Sequence, residues 1–271
     1  LTITTGARHT SGYMGGVFGQ TVYPKTFSNI VNEGAITIQD AAKEDLTFKH
    51  GYIQLYGIAY GVSMRAGDDI PTVKNCINRG PLSVGRITNA TTGNGGRLYM
   101  AGLFSNIYAG NISDCTNEAT GTITAKTGLW STEYMIGGFV TYIGSNSNCT
   151  TIKITDCENK AAILCDPYID DNNTILKGEI GGFCAEAYVD SNADTYHVEF
   201  LRAKNSGNVT VKGKFVTSGY PYLGGFMGVA NYDSLFFTDC EVSGTTDMNA
   251  TAISGCVGGF IGYDTTNWEL Q

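Results

Sequence analysis

Positive charge is scarce in this chain. Seventeen Lys and Arg stand against 25 Asp and Glu, a formal net charge of −8 over 271 residues. A nucleic-acid binder needs a basic stripe to neutralise phosphates, so nucleic acid is not an expected partner. Long apolar runs are missing as well. No stretch reaches 18 apolar residues, so no helical membrane insertion is expected of this segment. Only three His are present and no Cys-x-x-Cys occurs, which argues against a zinc site. Charged residues make up 15% and Pro numbers 5, while Gly reaches 36 and Ser, Thr and Asn abound. That balance suits many short strands and turns, not helices or a disordered tail. The first residue is Leu and no signal peptide is seen, so the chain reads as a mature or excised segment.

What is present is a repeat. The stretch YMIGGFVTYIG, residues 134 to 144, places two glycines inside an apolar strand-like run. Glycine in a strand interior marks a bulge or a close backbone approach. The pattern returns as IGGFCA (180–185), LGGFMG (223–228) and VGGFIG (257–262), and in looser form as MGGVFG (14–19), YGIAYG (56–61) and AGLFSN (101–106). The aligned glycines are Gly16, Gly57, Gly102, Gly138, Gly182, Gly225 and Gly259, about 40 residues apart. Such a period is the mark of a solenoid, propeller or array.

Each repeat has a second half with the consensus Asp-Cys-x-Asn-x-Gly-x-Ile-Thr. One column holds Ile30, Cys76, Cys115, Cys157, Ala203 and Cys240, and two residues later come Asn32, Asn78, Asn117, Asn159 and Asn205, with Val242 ending the series. The Asn-x-Gly is read as a sharp turn, since both residue types tolerate left-handed backbone. Stacking such turns would align the asparagines in a hydrogen-bonded ladder. Around the glycines apolar residues occupy both strand parities, which a bend or bulge at Gly-Gly would explain. The expected fold is all-β: a right-handed parallel β-helix of about six rungs plus a partial seventh, one domain over residues 1–271. A β-propeller is the alternative, although only three convincing strands per repeat are found and a blade needs four.

The GGF and Cys-x-Asn-x-Gly-x-Ile-Thr pattern resembles the Gly-rich repeats, GLUG repeats among them, of large cell-surface and adhesin-like proteins of Bacteroidetes. The resemblance covers nearly the whole chain. It implies an extracellular location at a bacterial surface, as a segment of a longer protein, and an adhesive role with a glycan or host surface protein as partner.

Candidate chemistry is sparse. Cys76, Cys115, Cys157 and Cys240 interchange with aliphatic residues, so they are expected as free thiols in a structural column beside the Asn ladder. Cys149, Cys165, Cys184 and Cys256 lie outside that column, and a pair among them stays open. Asp190, Asn192 and Asp194 look like the opening of a calcium loop, but Thr195 and Leu201 stand where such a loop needs glycine and an acid. Calcium is therefore the one candidate cofactor. Asp68 and Asp69 with Arg65, and Asp166 with Asp170 and Asp171, are further acidic groupings. No Ser-His-Asp set or phosphate loop occurs, so no catalytic residue is assigned. Loops at 60–72, 142–151, 166–178, 188–196 and 230–236 are expected to leave one side of the solenoid as a composite binding face. Tyr142, Tyr168, Tyr188, Tyr196 and Tyr232 are the expected ligand contacts, because rigid Tyr faces give contact area at low entropic cost. The expected function is non-enzymatic adhesion; a structural stalk and a β-helix carbohydrate-active enzyme are the alternatives.

Overall fold

The computed structural model describes residues 2–3, 12–38, 52–85, 96–126, 131–144, 146–166, 175–188, 196–231, 234–251 and 255–264. Every regular element among them is a β-strand. One full turn runs through Tyr52–Tyr56, Ala59–Val62, Thr72–Lys74, Ile77–Asn78 and Leu82–Val84. Each strand pairs in parallel with its counterparts one repeat earlier and one repeat later, for example Ile77 with Val31 and with Thr116. Five ladders result, called first to fifth in chain order from the Gly-Gly strand. The first and fifth are joined through one long strand, Val209–Gly224. The architecture is a parallel β-helix of six turns and a partial seventh, consistent with the right-handed winding that parallel connections take. A propeller blade pairs successive strands; here pairing skips a whole repeat, which removes that alternative. Five strands per turn replace the three expected, because the fourth-ladder strands are two residues long and show no alternation.

The Gly-Gly pair makes a waist. A Cβ on Gly16, Gly57, Gly102, Gly138 or Gly182 would strike the carbonyl of the next anchor glycine and the amide of the Asn across the turn. The chain therefore pinches there, with Gly on one wall and Asn on the other. On the Asn side a continuous ladder runs up the axis. Asn32 Nδ2 donates to Asn78 Oδ1 at 2.7 Å, Asn78 to Asn117 at 2.9 Å, Asn117 to Asn159 at 2.9 Å, and Asn159 to Asn205 at 2.8 Å. Asn117 and Asn205 also donate to the Gly138 and Gly225 carbonyls, at 2.9 and 2.8 Å, tying the walls together. Buried amides bonded on every side cost little, whereas one left unmade costs about 1–3 kcal/mol.

This polar spine divides the interior. Rows before the bend (Leu55, Met100, Ile136, Ile180, Leu223) pack with the fifth ladder in one core. Rows after it pack with the third ladder in another. There Phe139, Phe183, Phe226 and Phe260 stack face to face at 4.5–4.8 Å. Apolar residues occupy both parities there because consecutive residues after the bend, such as Phe139 and Val140 or Phe183 and Cys184, both enter this second core. The bend also folds the outer faces of the first and second ladders toward each other. Ser105 Oγ donates to Gln54 Oε1 at 2.8 Å across that seam, and Thr141 and Glu179 are buried in it.

The corner from third to fourth ladder is always two residues. Its first member, Asn29, Asn75, Asp114, Asp156, Arg202 or Asp239, has φ of 52–58°. Asn and Asp adopt this left-handed region most readily of the non-glycine residues. The left-handed position is thus the Asp before Cys, correcting the Asn-x-Gly assignment. Gly80 and Gly207 instead let the preceding turn's carbonyl approach: a Cβ on either would strike a backbone oxygen of Gly34 or Ala161.

Candidate functional site

Two of the five corners vary widely in length; the fourth-to-fifth corner is three residues in every described turn but one, where 118–122 has five. The corner from fifth to first ladder falls largely outside the described residues. The corner from second to third ladder spans 23–25, 63–71, 108–109, 145–150, 189–196 and 232–234 in successive turns. Nothing in the ladders limits it, because its chain runs outward between two strands already in register. Long insertions there cost little loop-closure entropy.

In the first two turns this corner holds a recess of about 300 Å³. Tyr23, Pro24 and Lys25 form one side; Ser63, Met64, Gly67, Asp68 and Asp69 form the other. The Arg65 guanidinium stands over the Tyr23 ring, 4.7 Å from its centroid. Lys25 Nζ meets Asp69 Oδ2 at 2.8 Å. That contact raises the Lys25 ammonium pKa and lowers that of the Asp69 carboxyl. Both groups are in water, so the pair orients side chains without stabilising the fold. The loop has its own turn: Asp68 N donates to Arg65 O at 3.1 Å, Arg65 N donates to Asp68 Oδ2 at 3.2 Å, and Gly67 takes φ +85° at the third position. Asn146, two turns further on, braces the floor. Its Nδ2 donates to Ser63 Oγ at 3.0 Å and to Met64 O at 3.1 Å, reaching past the two-residue corner 108–109.

The fold places Tyr142 and Tyr188 on the second-ladder strands that lead into this corner and Tyr196 at the corner's end, each half-buried. Tyr142 lies 6.0 Å from the Tyr108 ring, and both rings lie over Gly144, where a Cβ would clash. Burial pushes the Tyr108 phenol up to about 12. Tyr188 and Tyr196 bracket the segment that carries Asp190, Asn192 and Asp194; those three residues, with Tyr168 and Tyr232, lie outside the described residues. The chain segment with Tyr168 joins the fifth ladder to the first, so loop 166–178 belongs to a different corner from the other four. The expected single loop face is corrected to two corners. Sequence reading had the acidic pair and Arg65 but not the recess, because Tyr23 and Lys25 reach it from the preceding turn. Their only sequence signal is an aromatic and a cation directly after a strand, in a repeat whose register places them opposite Asp69.

All eight cysteines are free, so no pair forms among the four outside the column. Cys76, Cys115 and Cys157 are buried in the column, and the Cys115 and Cys157 thiols donate to the Ser113 and Thr155 carbonyls at 3.1 and 3.3 Å. Burial pushes the Cys165 thiol up to about 12 and the Cys184 thiol well above its ordinary value, which keeps them from the reactive thiolate. Among the described residues no group of three or more His, Cys, Asp or Glu is arranged to hold a metal ion. No protein-family model, curated protein or solved structure matches this chain.

Proposed function

We propose that this chain is a non-enzymatic, adhesin-like segment of a bacterial cell-surface protein that binds glycans through its second-to-third corner. One observation carries the reading. Among the described tyrosines, Tyr23, Tyr108 and Tyr196 lie in a corner whose length changes from turn to turn, and Tyr142 and Tyr188 lie on the second-ladder strands that lead into it, while the walls around it repeat. Variable loops on a rigid scaffold are where binding residues concentrate. The resemblance to Gly-rich surface repeats supports the extracellular location and the glycan or host-protein ligand class. The test is a glycan array of this segment, with and without calcium, beside a Tyr142→Ala/Tyr188→Ala variant. Saturable binding lost in a variant with native melting is the expected result. A folded protein that binds no glycan overturns it and leaves the spacer reading. Rows of exposed ion pairs along the third ladder and the third-to-fourth corner, such as Lys153–Glu199 at 2.8 Å and Arg202–Asp156 at 2.6 Å, favour that second reading, since they furnish a solvated rod surface.

A further inference from the structure

We propose that the recess between 23–25 and 63–69 is a subsite for one neutral hexose residue. The inference rests on the glycan-binding reading and adds a location and a ligand chemistry to it. Four arguments lead there. The first is charge: Lys25 lines the recess with Asp68 and Asp69, and the Arg65 guanidinium stands at its edge over Tyr23, so the four groups together sum to zero and favour neither an anion nor a cation. The second is the polar inventory. The two carboxylates supply acceptors beyond those used by Lys25 and the Arg65 backbone, and the ammonium retains donors beyond the one given to Asp69. The Ser63 hydroxyl accepts from Asn146 and keeps its own proton to donate. A ligand whose neighbouring hydroxyls both donate and accept matches that mixture; a carboxylate or an ammonium matches half of it.

The third argument is the apolar surface. Tyr23, Pro24 and Met64 share the lining with the polar groups, and Tyr23 is 49% exposed. A pyranose presents C–H groups on one face and hydroxyls at its edge, which needs such a divided wall. The fourth is rigidity. The 65–68 turn is closed by two hydrogen bonds, Arg65 holds one face of the Tyr23 ring, and Asn146 fixes Ser63 and Met64 from two turns away. A preformed site loses less entropy on binding.

The experiment is ligand-observed saturation-transfer NMR on the full chain with methyl glucoside, galactoside and mannoside. A sialoside serves as the anionic probe and tetramethylammonium as the cationic one. Tyr23→Ala and Asp69→Asn are the variants, each checked by thermal melting, and Tyr23→Phe is the conservative control. Transfer from at least one neutral hexoside, reduced at least tenfold in apparent affinity by Tyr23→Ala and by Asp69→Asn and retained in Tyr23→Phe, is the expected result. A preference for the sialoside or the ammonium overturns the neutral-hexose assignment. Hexoside binding unchanged in both variants but lost in Tyr142→Ala/Tyr188→Ala overturns the recess while retaining the broader glycan reading. Binding of no probe by a protein that still binds a glycan array overturns the single-residue subsite alone.

Discussion

Two corners of the same coil behave oppositely. The third-to-fourth corner is two residues long in every described turn: a left-handed residue, then a member of the thiol column. The second-to-third corner ranges from two residues to nine. The tight corner stands beside the Asn spine and the stacked core, so an added residue would shift strands on both sides out of register. The loose corner leaves its ladder after the last paired residue and returns before the next, so added residues go to solvent. Regularity follows from buried hydrogen bonds that tie every turn to the next; the loose corner carries only scattered ties, such as those of Asn146 to Ser63 and Met64, and its length is free to change.

The largest expected effect comes from breaking the spine. Asn117→Ala removes the acceptor of Asn78 and the donor to Asn159 and Gly138 at once. With about 1–3 kcal/mol for each buried polar group left unmade, a loss of about 3–5 kcal/mol is expected in urea unfolding. A loss under about 1 kcal/mol would show that water replaces the amide and that the spine does not hold the turns together.

Alkaline pH tests the thiols that line the regular part of the coil. Burial raises the Cys165 pKa to about 12 in the folded state, against about 8.5 in the unfolded chain. The neutral thiol is favoured in the fold, so this contribution is complete below about pH 8.5 and is lost as pH rises toward 12. At pH 11 Cys165 alone accounts for about 3 kcal/mol. Cys165→Ala, with the residue that Ala125 places at the paired position, should flatten the alkaline limb of the stability profile. An identical limb in both proteins would remove Cys165 as its source.

The tight corner itself is sharpened by Asp114. At φ 53° a β-branched side chain is strained, so Asp114→Val is expected to cost about 1–2 kcal/mol. Asp114→Gly should be nearly neutral, because its lost contact with Lys74 at 3.5 Å is exposed. Equal urea midpoints for Val and Gly would show that backbone conformation does not select this residue.

How much of this was legible depended on period. The Gly-Gly and Asn columns recur often enough to align, so the β-helix and the Asn32-to-Asn205 ladder followed from the letters. The thiol column was legible by the interchange of Cys76 and Cys115 with Ile30 and Ala203. What failed was local geometry. Gly34 and Gly80 invite a left-handed reading, but only Gly67 and Gly110 among the described glycines take positive φ, and the left-handed column is carried by Asp114 and its equivalents. Linear order also hid which loops share a corner: loops 166–178 and 188–196 look alike in sequence, yet the ladder strands between them assign them to different corners. The recess was out of reach for a related reason. Tyr23 and Asp69 are joined by the register of the ladders between them.

The smallest expected effect closes the comparison from the loose side. Replacing 63–71 by the Tyr-Ala pair that serves at 108–109 shortens the corner about fourfold. Shortening by two doublings saves about 1 kcal/mol of closure entropy, while losing the buried Met64 costs about 1.5–3 kcal/mol. The net change should stay within about 2 kcal/mol, well below that of Asn117→Ala, and melting should remain cooperative. Hexoside binding at the recess should vanish in the same protein, since five of its lining residues leave together. A collapse of stability as large as that of the spine variant would mean that the loop buries core surface and that its length is as constrained as the tight corner's. Retained stability with lost binding would separate scaffold from site within a single turn of the coil.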